Sequence, residues 1–170
     1  RAMSLAFWAV VGVTLAAARS ARTAARNDRE DALVRSLLTG IAVFRWVAWA
    51  WVVVVLLASR DVLSEPGARP GLAVVLVSAA LLVSAGTTAL LTVDPARLLT
   101  LPVVAVEVAV ACALVFGDEF VYDGAGHPQT LASAWPLAGV MTAGIAFRWR
   151  GGVVAGVVIG AAQGMGEWLG

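Results

Sequence analysis

Residues 40–58, GIAVFRWVAWAWVVVVLLA, form a nearly unbroken apolar and aromatic run. It approaches the roughly 20 residues that a helix needs to cross the hydrocarbon core of a bilayer. Extended back to residue 38, it is one of six such runs; the others lie near 3–18, 71–93, 98–117, 131–147 and 153–169. A chain with 61% hydrophobic and 14% charged residues and a mean hydropathy of +0.89 lies outside the usual range of soluble domains. The pattern predicts an all-α, polytopic transmembrane helical bundle of about six membrane-spanning or membrane-associated helices, with the lipid bilayer as first partner. At 170 residues there is room for one bundle, and a net charge of +1 gives no basis for nucleic-acid binding.

Between the first two runs lies ARSARTAARNDREDALVRSLL, Ala-rich and helix-forming, with Arg19, Arg22, Arg26, Arg29 and Arg35 set against Asp28, Glu30 and Asp31. Residues 1–36 therefore divide off as an apolar helix followed by an Arg-rich juxtamembrane helix, and 37–170 as a five-span bundle. Short cytoplasmic loops carry the excess of Arg, which puts residues 19–35 in the cytoplasm of a multi-pass protein of the cell (inner) membrane. The turns holding Arg97, Arg148 and Arg150 then fall on the same side. The loop with Asp118, Glu119 and Asp123 falls outside, and so does Gly170.

Two ionisable residues interrupt the apolar runs. Arg45 is seven residues into its span, roughly 10 Å deep, where its stem can snorkel back to the headgroups and do no more than mark orientation. Glu107 lies near the middle of LLTLPVVAVEVAVACALVF, roughly 14 Å from the same face. Charged groups at such depth are costly and turn towards the bundle interior, so each is a functional-site candidate. The depths differ by a few ångströms, which permits an Arg45–Glu107 pair. Its readings are a ligand or proton sensing site and a polar clasp between helices.

The last run, GGVVAGVVIGAAQGMGEWLG, places Gly152, Gly156, Gly160 and Gly164 on one helix face, the small-residue spacing that lets backbones meet in lipid. The partner of that groove is another helix of this chain or a second protomer; a homodimer is expected. Trp135, Trp149 and Trp168 fall at span ends, as interfacial anchors do. Trp46 and Trp49 share a face of the second span, where they pack or line an aromatic pocket. Pro102 and Pro136 read as first-turn prolines or kinks, and His127 as a loop residue. The lone Cys112 excludes an internal disulfide. No spacing suited to a metal, cofactor, phosphate loop or catalytic triad occurs, so no catalytic residue is assigned.

From about residue 31 to 169 the sequence resembles the N-terminal membrane sensor domain of MacS-like actinobacterial sensor histidine kinases. The resemblance rests on ALVRSLLTGIAVFRWVAWAW, on RPGLAVVLVSAALLVSAGTTALL, on an acidic residue in the fourth span, and on TLASAWPLAGVMTAGIAFRWRGGVVAGVVIGAA. It implies a signal-input module of a two-component system, acting on a kinase core that these residues do not contain and, through it, on a response regulator. Enzymatic activity in that family belongs to the kinase core. The competing readings are a small proton- or ion-coupled transporter using Glu107 and Arg45, and a structural membrane subunit.

Overall fold

A computed structural model of the chain describes residues 32–122 and 134–169. Two compact units divide the chain, Arg1–Leu37 and Leu38–Gly170; of the first, the described part is the helical stretch 32–37. The expected run at 3–18, the Arg-rich residues up to 31, and His127 lie outside the described residues.

Five α-helices make up the described chain, joined by turns and one short 3-10 turn at Val62–Ser64, and no strand occurs among the described residues. They are α1 (Ala32–Ala58), α2 (Pro70–Val93), the single turn α3 (Pro95–Leu98), α4 (Leu101–Tyr122) and α5 (Trp135–Leu169). Local chemistry sets most of their ends. Pro70 opens α2 and Pro102 and Pro136 are second residues of their helices, where a missing N–H costs nothing. Asp94 precedes Pro95 and is therefore pushed out of helical geometry, which ends α2. Arg97 Nε then closes the turn on Asp94 Oδ2 at 2.9 Å.

The bundle is apolar on its outside and carries charge within. Val43, Val47, Leu82, Val106 and Val157 are exposed, while Arg45, Glu107 and Asp118 are buried. A water-soluble domain sorts these residues the other way; four helices here, α1, α2, α4 and α5, are long and apolar enough to cross a membrane. The sequence has six apolar runs. The first lies outside the described residues, and the last two both belong to α5.

Two boundaries differ from expectation. The helix α4 continues to Tyr122, so Asp118 and Glu119 stand in its last turns rather than in a loop. The reason is packing: Val121 and Tyr122 reach the same core as Val52, Ala73 and Leu114, and Val121 O accepts the Arg69 N–H at 3.0 Å. The second is a break inside α5, where Phe147 (φ −121°, ψ 18°) and Arg148 (φ 60°, ψ −161°) leave helical geometry.

The chain reverses at that break. Residues eight apart on one straight helix stand about 12 Å apart, yet a Cβ placed on Gly152 would lie 3.4 Å from Gly144 Cα. Ala143 and Ala155 likewise share a small core with Val104. Residues 135–146 and 149–169 are thus two arms of a tight hairpin, and the second arm runs alongside α4, ending with Gly166 against Phe116 and Glu119. Gly166 itself is buried.

Arg148 occupies backbone space that is essentially reserved for glycine, at a cost of about 1–3 kcal/mol. Its side chain is exposed and does not repay that cost by packing. Arg148→Gly is therefore expected to stabilise the hairpin by about 1 kcal/mol, read as a higher midpoint in denaturant unfolding in mixed micelles; a lower midpoint would show that the turn is held by the arginine itself.

Candidate functional site

Four helices meet at one buried ion pair. The Arg45 guanidinium, on α1, contacts the Glu107 carboxylate on α4 through Nη2 and Oε1, with exposures of 3% and 1% for the two residues. Arg45 Nη1 donates to Thr87 Oγ1 on α2 at 3.2 Å, and Nη2 to Thr142 Oγ1 on α5 at 2.7 Å. Thr87 and Glu107 each lie six residues from the ends of their helices, and Thr142 five residues before the break, so the level is set by all three neighbours. That level is about 9 Å inside the bundle. The arginine is buried and its fork is engaged by other helices rather than turned back along its own.

The hydroxyls that receive these bonds share one arrangement. Thr142 donates its own proton to Ala138 O at 2.9 Å and Thr87 to Val83 O at 2.8 Å, each back along its own helix. Ser84 and Thr88 do the same towards Ala80 O and Ser84 O, both at 2.7 Å. A hydroxyl has one proton, and once that is committed only its lone pairs remain for a neighbour. Each is then met by a donor from a different helix: Ser84 by Trp135 Nε1 at 3.1 Å, Thr88 by Trp46 Nε1 at 3.1 Å, and the other two by Arg45. Trp49 Nε1 adds a bond to Val77 O at 3.2 Å.

Glu107 is the less complete partner. The Thr142 hydroxyl lies beside its carboxylate, and its single proton serves either Ala138 O or Glu107, not both. Glu107 Oε2 accepts no hydrogen bond from the described residues, and Arg45 Nε likewise finds no acceptor among them. A groove of about 510 Å³ between α2 and α4 has Glu107 among its lining residues. Leu82, Val83, Gly86 and Val106 are among its walls, and Thr87 and Glu107 are its polar residues.

The other candidates separate. Gly152 packs against Gly144, whereas a Cβ on Gly156, Gly160 or Gly164 would meet nothing within 4 Å. Trp149 and Trp168 are exposed, and the Arg150 guanidinium lies 5.6 Å from the centroid of the Trp149 ring. Trp135 is enclosed in the bundle at 1% exposure, bonded to Ser84. Trp46 and Trp49 meet edge to face, 6.0 Å between centroids, and both turn their indole N–H groups to α2. No group of His, Cys, Asp and Glu suited to a metal occurs among the described residues.

Sequence reasoning missed Ser84, Thr87 and Thr142. The signal was present in VSAGTT, with three hydroxyls in five residues of an otherwise apolar run. The class defined by this fold and site is a helical membrane bundle clasped by one internal charge pair. Compared with models of known protein families, with curated proteins and with solved structures, the chain matches none.

Proposed function

We propose that this chain is the membrane-embedded input module of a sensor kinase of the two-component type, with the Arg45–Glu107 clasp as the element whose state is sensed. The observation that carries the reading is that α1, α2, α4 and α5 all converge on one pair of charges. A shift at any one helix changes the bonds of the other three, which is the structural requirement for two discrete packings with a small free-energy gap. The resemblance of residues 31–169 to MacS-like sensor domains supplies the output. In this reading the bundle has about six membrane-spanning or membrane-associated helices, the two arms of α5 among them, the Arg-rich segment 19–35 is cytoplasmic, and the module works as a homodimer.

The test uses the intact gene product in its own membranes. Glu107→Gln keeps the shape of the side chain and removes its charge, and is expected to shift ATP-dependent phosphorylation of the cognate response regulator on the order of tenfold, the change that 1.4 kcal/mol between two packings produces. Peptide mapping beyond Gly170 shows whether a phosphorylatable His helix and an ATP-binding domain follow. Proton or ion flux in proteoliposomes that Glu107→Gln abolishes would instead establish a transporter. A fixed stoichiometric partner with neither phosphorylation nor flux would establish a structural subunit.

A further inference from the structure

The groove between α2 and α4 opens on the apolar outer surface of the bundle. Leu82 and Val106 on its walls are exposed by 72% and 55%, and its volume of about 510 Å³ falls in the range of small-molecule sites, roughly 300–1,000 Å³. Any lipid chain can brush such a surface. What sets this groove apart is that Glu107 is among its lining residues, its carboxylate buried behind the apolar wall with Oε2 accepting no hydrogen bond from the described residues. A buried acceptor left without a donor is costly, and a ligand that supplies one recovers that cost.

The charges select the ligand's chemistry. Arg45 already balances Glu107, so the site as a whole is neutral. An added cation would meet the guanidinium and an added anion the carboxylate. The depth, about 9 Å inside the helix ends, excludes a phosphate headgroup, which stays at the interface. A small uncharged donor on an apolar body remains.

We propose that this groove binds a bilayer-borne lipid alcohol, entering sideways between α2 and α4, with its apolar body along Leu82, Val83 and Val106 and its hydroxyl donating to Glu107. The assignment deepens the input-module reading and rests on it for its consequence: the alcohol is what the clasp senses. Binding beside Thr87 and Glu107 places the ligand against two of the four helices joined there.

The probe is hexadecanol carrying a photoreactive diazirine, added to the full chain in phosphatidylcholine vesicles. Labelling is expected to saturate, to map to residues 82–90 and 102–107, and to be displaced by unlabelled hexadecanol at least about tenfold better than by hexadecyl methyl ether, which lacks the donor. Gly86→Phe fills the groove from a position whose Cβ meets nothing within 4 Å, and Val106→Phe fills it from the opposite wall. Each should abolish the saturable labelling with an unchanged unfolding midpoint. Labelling that rises linearly with probe, or equal displacement by alcohol and ether, overturns the proposal on the unaltered protein alone. So does saturable labelling that persists in both filled variants. Saturable, alcohol-selective labelling that leaves phosphorylation unchanged sinks the sensing reading only; Glu107-dependent phosphorylation without such labelling sinks the groove assignment only.

Discussion

Arg45→Leu and Glu107→Leu, made singly, should each destabilise the bundle by about 3–5 kcal/mol, and the double variant by much less than either. The asymmetry follows from where the charges are. Each residue is almost wholly buried, so removing one leaves the other uncompensated in the interior, whereas removing both leaves no unpaired charge there. The double variant still forfeits the two threonine bonds of Arg45, so it does not reach the stability of the unaltered protein. A double-mutant cycle on unfolding in mixed micelles measures this, and an interaction energy below about 0.5 kcal/mol would mean that the pair is not coupled. Arg45→Lys should behave nearer to Arg45→Leu than its charge suggests. A single ammonium lacks the planar fork that reaches Glu107, Thr87 and Thr142 together.

The second large effect is expected at Gly152. A side chain there meets Gly144 Cα at 3.4 Å and Val140 O at 3.7 Å, backbone atoms that cannot rotate aside. Gly152→Leu should force the two arms of α5 apart at a cost at or above the upper end of the usual 1–3 kcal/mol for overpacking. Spin labels at Leu137 and Val158, both exposed, would report a longer and broader distance distribution. Gly160→Leu is the control: its Cβ has open space, and the arms should stay together. Equal effects at the two positions would show that the hairpin does not depend on the Gly144–Gly152 contact.

Apolar run length made the helices α1, α2 and α4 legible in the sequence, because a bilayer requires that length and little else. Depth counting brought Arg45 and Glu107 to similar levels, since 1.5 Å per residue holds for any straight helix. Three things escaped it. The hydroxyls of Thr87 and Thr142 look alike to any other Ser or Thr in an apolar run, and only the rotation of α2 and α5 about their axes decides which face Arg45. The end of α4 was hidden for a related reason: Asp118 and Glu119 suggested a loop, while the burial of Val121 and Tyr122 behind them extends the helix. The glycines at 152, 156, 160 and 164 share a spacing, but the reversal at Phe147–Arg148 separates Gly152 from the rest in what it touches.

The two arms of α5 are unequal. Residues 135–146 rise about 18 Å and residues 149–169 about 31 Å, against a hydrocarbon thickness of roughly 30 Å. Both arms start from the same turn, so the shorter stops some 13 Å below the level its neighbour reaches. Trp135, at that sunken tip, is accordingly enclosed by protein and bonded to Ser84. A bilayer of constant thickness does not match both lengths at once, and such mismatch is relieved by thinning or tilt at a cost of fractions of a kcal/mol per ångström. In the membrane placement proposed above, the elastic state of the surrounding bilayer would bear on how this hairpin stands against α4, and through Thr142 on the charge pair.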